Sequence, residues 1–262
     1  MTTTHPATTT PASTLARTPL AGKVALVTGG SRGLGAAIVE RLVRDGAAVV
    51  FTYAGARDRA DALVAELTAA GGRALALEAD SGDVDAVRRA VARTREAFGR
   101  LDILVNNAAI ARTAPLVDVA DDDLERMLAV NVRGVVVATR EAVRHMDRGG
   151  RVINIGSINS EYVPFPGASL YALTKGALSG FTHGLARELG ARGITINNIQ
   201  PGPVDTDMNP AGGPNGQYLT GLIAVQRFGH TREIAGLVAY LAGEEGAYVT
   251  GADLRIDGGF AA

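Results

Sequence analysis

Residues 24–45 constrain the fold of this chain more than any other stretch. Val24-Ala25-Leu26-Val27 is a short apolar run of strand length, and it passes directly into Thr28-Gly29-Gly30-Ser31-Arg32-Gly33-Leu34-Gly35. An amphipathic pattern over 36–45 follows at once, so the glycine-rich turn opens a helix. Glycine meets two needs there. It adopts backbone angles closed to other residues, and without a Cβ it lets a pyrophosphate approach the free N–H groups at the helix start. Such turns also serve purely structural ends, so this segment alone leaves a phosphate site and a plain tight turn both open.

The same alternation continues to the C-terminus. Strands are predicted at 24–27, 48–53, 74–78, 103–106, 151–156, 195–200 and 253–256, with helices at 57–70, 83–98, 121–146, 172–191 and 233–241. Parallel strands need crossover connections, and helices of this length supply them. The pattern predicts a Rossmann-type, doubly wound α/β fold: one seven-stranded parallel sheet, helices on both faces, right-handed crossovers. A chain of 262 residues suits a single domain of this kind. Residues 1–19, rich in Thr, Ala and Pro and without a continuous apolar run, read as a disordered tail ahead of a domain over 20–262. The long glycine- and proline-rich stretch 201–220 reads as irregular, with a substrate lid around 204–220.

Composition removes several classes of function. With no cysteine, disulfides, thiolate metal sites and thiol nucleophiles are excluded, and a reducing, cytoplasmic setting fits. His5, His145, His183 and His230 have no paired ligand spacing, so no metal site is expected. A formal net charge of −1 gives no general affinity for nucleic acid or an anionic membrane, and no segment has the length and apolarity of a membrane span.

The turn resembles the T-G-x-x-x-G-x-G turn of the short-chain dehydrogenase/reductase family, and the resemblance extends from Lys23 to the C-terminus. Asn106-Asn107-Ala108-Ala109 is similar to the family's N-N-A-G. Asn131, Ser157, Tyr171-x-x-x-Lys175 and Pro201-Gly202 follow in the family's order. The subgroup it most resembles is the 3-oxoacyl carrier-protein reductases. The resemblance implies a nicotinamide-dependent oxidoreductase acting on a small carbonyl or alcohol. It assigns cofactor binding to Gly29, Ser31, Arg32, Gly33, Leu34 and Gly35, then to Asp80 and Ser81 at the adenine. The set runs on through Asn107, Ala108, Pro201, Gly202, Val204 and Thr206.

At the end of the second strand, an acidic residue would bind ribose hydroxyls and repel a 2′-phosphate. Tyr53 stands there instead, and Arg32 and Arg57 are placed to face such a phosphate, so NADP(H) is preferred over NAD(H).

Tyr171 and Lys175 are four residues apart in a helical pattern and so share a face. A phenol with its ordinary pKa of about 10 is a poor acid/base near neutrality, and a fixed ammonium beside it, with the positive ring of the oxidised cofactor, favours phenolate. The resemblance gives Tyr171 the proton transfer, Lys175 the ribose hydroxyls as well, Ser157 the substrate oxygen, and Asn131 a water leading from Lys175 to solvent. Ser160 competes with Ser157, which is preferred for its place at a strand's C-terminal end.

Ser157 and Tyr171 stand one position further apart than is usual in the 3-oxoacyl carrier-protein reductases. The intervening Tyr162, Pro164, Phe165 and Pro166 make a stiff apolar loop, expected to form a hydrophobic substrate wall with the lid.

Arg126, Arg133, Arg140, Arg144 and Arg148 share a helical face. Docking of an acidic acyl carrier protein is the lesser reading of that row. A solvated or subunit-facing surface balanced by Glu125 and Glu141 is the preferred one. The final segment from Val249 to Gly259 resembles the family's last strand, which implies a homotetramer. A non-catalytic NADP-binding sensor or scaffold is the alternative from another class, and it would not need Ser157, Tyr171 and Lys175 together.

Overall fold

A computed structural model describes residues 18–262, and the expected tail lies almost wholly outside them. The strands are β1 Val24–Val27, β2 Ala48–Tyr53, β3 Arg73–Glu78, β4 Ile103–Asn106, β5 Arg151–Ile155, β6 Thr195–Pro201 and β7 Asp253–Ile256. They form one sheet in the order β3-β2-β1-β4-β5-β6-β7, parallel at every pairing. The five inner strands are buried along their whole length, as strands covered on both faces must be, and only the edge strands β3 and β7 are partly exposed.

Helices α1 Gly33–Arg44, α2 Arg57–Ala69 and α8 Thr231–Ala242 cover one face. There Ile38, Leu42, Leu63, Val238 and Leu241 meet Ala25 and Val27. Helices α3 Val84–Phe98, α5 Gly134–Val143 and α6 Ser169–Leu189 cover the other, where Val87, Val91, Val137 and Leu189 meet Leu26. The alternation along β1 follows from the period-2 direction of strand side chains.

Two expectations shift. The helix expected over 121–146 is α4 Asp121–Leu128, a five-residue π-turn Ala129–Arg133, and α5, which stops at Val143. The stretch expected to be irregular over 201–220 is shorter, because β6 runs on to Pro201 and α7 Gly216–Leu222 occupies its end. Short 3-10 turns at Leu116–Asp118, Ile158–Ser160 and Gly190–Arg192 punctuate the loops.

The strand order reverses between β1 and β4, and a crevice opens there at the strands' C-terminal ends. A buried amide chain fixes its floor. The Asn106 side chain donates to Asn154 Oδ1 (2.8 Å) and Thr139 Oγ1 (3.0 Å), and Asn154 donates to Thr182 Oγ1 (3.0 Å), tying β4 and β5 to α5 and α6. Among the described residues no helix is long and apolar enough to cross a membrane, and no cluster of His, Asp and Glu is placed to hold a metal ion.

Candidate active site

The crevice is a single cleft of about 710 Å³. At one end lies the glycine-rich turn, held from the neighbouring strands. The Asn107 amide donates to the carbonyls of Thr28 and Gly29 (2.9 Å each), while the backbone N–H groups of Asn107 and Ala108 donate to Thr28 Oγ1 at 3.0 and 3.1 Å. Gly33 has φ +55°, and a Cβ on Gly35 would stand 2.1 Å from the Gly29 carbonyl oxygen, so the turn closes only with glycine at these positions. Helix α1 starts there with no side-chain cap and no acidic residue in its first turn. Its free N–H groups and dipole face the cleft, a cradle suited to an anion. Gly29, Ser31, Arg32, Gly33, Leu34 and Gly35 all line it, as do Asn107 and Ala108.

At the outer rim the arginines are arranged differently from expectation. Tyr53 and Arg32 line the cleft, but Arg57 does not. Its guanidinium pairs with Glu78 and lies over the Tyr53 ring at 5.8 Å from the centroid. Arg59 lines the cleft instead. Residues two apart on a helix point in nearly opposite directions, so only one of Arg57 and Arg59 can face the crevice, and the helix phase decides which. Arg57 neutralises Glu78, the carboxylate paired in register with Tyr53. Asp80 and Ser81 line the next stretch, where Asp80 accepts from the Gly82 N–H (2.8 Å) and takes Arg126 on both oxygens (2.9 and 2.8 Å).

The other end is made of side chains. Ser157, Tyr171 and Lys175 line the same cleft, as do Pro201, Gly202, Val204 and Thr206. Ser157 follows β5, accepts from the Asn159 N–H (3.1 Å) and stands close enough to Tyr171 to lower its pKa. Ser160 turns away from the cleft: its hydroxyl donates to the Ser157 carbonyl (2.8 Å) and accepts from Gln200 (2.9 Å). Lys175 is buried, its Nζ donates to the Ile155 carbonyl (2.8 Å) and lies 5.7 Å from the Tyr171 ring centroid. Burial lowers its pKa to about 8. The expected depression of Tyr171 is not what the protein alone produces. Burial pushes the phenol up, and Ser157 only partly opposes it.

Asn131 is buried inside the π-turn and does not line the cleft. Its amide accepts from the Ile110 N–H (2.9 Å) and donates to the Ile110 carbonyl (2.8 Å) and Thr174 Oγ1 (3.1 Å). It joins the segment after β4 to α6 one residue from Lys175. The chain approaches closely here, since a Cβ on Gly134 would stand 2.2 Å from the Ser81 carbonyl oxygen.

Beyond Ser157 the wall is apolar. Phe165, Leu219 and Phe260 line the cleft and pack with Ile158, Ile223 and Phe228. Tyr162 meets Phe260 edge-on at 5.5 Å, bracing the loop before Tyr171. Sequence reading missed Arg59 and Phe260, and placed Arg126 in a surface row rather than at the cleft. Phe260 comes from the chain end and only the fold brings it to the cleft, whereas Arg59 carried a signal that helix phase left ambiguous. The basic row is not a free surface either: Arg126 is held by Asp80, Arg133 by the Gly82 carbonyl (3.2 Å), and Arg140 and Arg144 both by Glu141.

A family model described as enoyl-(acyl carrier protein) reductase matches residues 29–261. The solved short-chain dehydrogenase/reductase of Serratia marcescens BCRC 10948 is 58% identical, with a TM-score of 0.92 over 93% of this chain and 100% of that one. A short chain dehydrogenase from Burkholderia cenocepacia J2315, solved in complex with NADP, is 52% identical, with a TM-score of 0.92 and the same coverage of 93% and 100%. The cyclic-di-GMP-binding biofilm dispersal mediator protein of Escherichia coli K12 is 48% identical over 92% of this chain and 98% of its own. Fold, motif order and these likenesses agree across nearly all of the described residues, and the chain belongs to the short-chain dehydrogenase/reductase family of oxidoreductases.

Proposed function

We propose that this protein is an NADP(H)-dependent reductase that reversibly converts a ketone or other carbonyl to an alcohol, with Tyr171 as general acid/base. One observation carries the reading: Ser157, Tyr171 and Lys175 converge on the wall of the same cleft that the uncapped start of α1 closes at its other end. The residues fit the cofactor. The glycine cradle suits its pyrophosphate, Arg32 and Arg59 its 2′-phosphate, Asp80 its adenine amine and Lys175 its nicotinamide ribose. The Burkholderia relative's complex with NADP supports the choice. Bound there, NADP(H) supplies hydride in reduction and takes it back in oxidation.

The chain's own residues handle the proton and the oxygen. Ser157 holds the carbonyl oxygen, and Tyr171 gives its proton to the oxygen as negative charge develops there. A phenol raised by burial is protonated at neutral pH, which favours the reducing direction. Lys175, held by the Ile155 carbonyl, keeps a positive charge beside the phenolate that remains. Asn131 is a positioning residue, fixing α6 against the Ile110 backbone. The wall of Phe165, Leu219 and Phe260 favours a substrate with an apolar body. Carrier-protein docking forms no part of the proposal, because Arg126, Arg140 and Arg144 of that row are balanced by Asp80 and Glu141. We also propose a homotetramer, for which the sheet edge at β7 offers a surface; light scattering that shows a monomer at micromolar concentration would contradict it.

The name of the E. coli relative favours a second reading, a nucleotide sensor in which a cyclic dinucleotide takes the same cleft. A panel of ketones offered with NADPH or NADH, followed by the absorbance of the reduced cofactor, separates the two. The reductase reading expects ketone-dependent consumption of NADPH well above that of NADH. Tight NADPH binding with no consumption, displaced by cyclic di-GMP, would transfer the case to the sensor.

A further inference from the structure

Asp207 sits on the segment between β6 and α7, and Arg59 in the first turn of α2, 148 positions away, yet their side chains meet at 2.6 Å. Both line the cleft together with Arg32. The neighbouring Thr206 lies over the phosphate turn, where a Cβ on Gly33 would come within 3.8 Å of it. A carboxylate thus stands at the cleft rim in contact with one cation and within the field of a second. The Arg59 hydrogen bond, and more weakly the charge of Arg32, hold its pKa below the ordinary carboxylate range. These two arginines are the pair to which the proposed function assigns the 2′-phosphate, and a phosphate and a carboxylate cannot share Arg59 without repulsion.

We propose that Asp207 is a specificity-determining residue for the cofactor: an internal anion that competes with the 2′-phosphate for Arg59. Arg59 must exchange Asp207 for phosphate when NADP(H) binds, and keeps Asp207 when NAD(H) binds. The exchange moves only the tip of the lid. Val204 stays bridged to Gly229, and Asp205 accepts from the Ala211 N–H at 2.9 Å, so the tight turn from Thr206 to Asn209 is the part released. Asp207 therefore limits the preference for NADP(H) that the arginines create, and reports the identity of the cofactor to the lid over the substrate end.

The proposal rests on the NADP(H) reading, and direct binding separates the two. Titrations of NADPH and NADH into the wild type, Asp207→Asn, Arg59→Gln and the double variant, by calorimetry or ligand fluorescence, give the four affinities for each cofactor. Both side chains are more than half exposed, so neither substitution threatens the fold. Asp207→Asn is expected to bind NADPH about three- to tenfold more tightly, the scale of an exposed ion pair plus relief of repulsion, and NADH within about twofold of wild type. In the Arg59→Gln background most of that gain should disappear. Equal changes for both cofactors, an undiminished gain without Arg59, or no gain at all would overturn the role of Asp207 while leaving NADP(H) binding intact. A wild type that binds NADPH no better than NADH would overturn the cofactor reading and this proposal with it.

Discussion

The two ends of the cleft are built from different material. At the phosphate end the backbone does the work: an uncapped helix start, Gly35 packed on the Gly29 carbonyl, and Asn107 and Thr28 holding the turn from below. At the chemical end the backbone is ordinary and the proposed chemistry rests on side chains, a buried lysine anchored on the Ile155 carbonyl and a phenol beside Ser157. The contrast teaches that the ends should fail differently. Added atoms damage the first, since it depends on close approach, whereas removed atoms damage the second, since it depends on particular donors and protons.

A large effect that sharpens this contrast belongs to Ser157→Ala. Loss of one donor at the developing oxyanion should lower kcat by about 100- to 1000-fold while leaving the Kd for NADPH nearly unchanged. A rise in Kd matching the fall in kcat would erase the distinction between the ends. Gly35→Ala tests the opposite end. Its Cβ has no room beside a backbone carbonyl, so calorimetric titration should show NADPH binding weakened at least about tenfold, with the fold destabilised by about 1–3 kcal/mol. Unaltered binding and Tm would mean that the turn is not closed as described.

A smaller effect comes from pH. Lys175 loses its proton near pH 8, and the phenol must be protonated to act as the acid. Carbonyl reduction should therefore be flat at neutral pH and fall as pH rises through 8, while alcohol oxidation, which needs phenolate, should rise only at higher pH, above the ordinary phenol range. Parallel kcat profiles in the two directions would contradict this assignment.

Much of this was legible in the sequence because parallel strands buried on both faces write themselves as apolar runs. The periods of α1, α3 and α6 separate those runs cleanly. The glycine turn and the i, i+4 pair of Tyr171 and Lys175 were equally readable, each being local. What was hidden depends on phase or on distant contact. Arg57 and Arg59 share one helix turn, and only the packing of α2 shows that the first meets Glu78 and the second the cleft. The π-turn at Asn131 exists where its amide reaches the Ile110 backbone, a contact 21 residues away. The upward shift of the Tyr171 phenol reflects burial by the assembled fold, which neighbours in sequence cannot report.

Tyr171→Phe tests the central claim most directly, because it deletes one oxygen and leaves the ring. With NADPH and a ketone turned over by the wild type, the variant should bind NADPH within about twofold of wild type and lose turnover by about 100- to 10,000-fold. Near-normal consumption of NADPH by the variant would contradict the account.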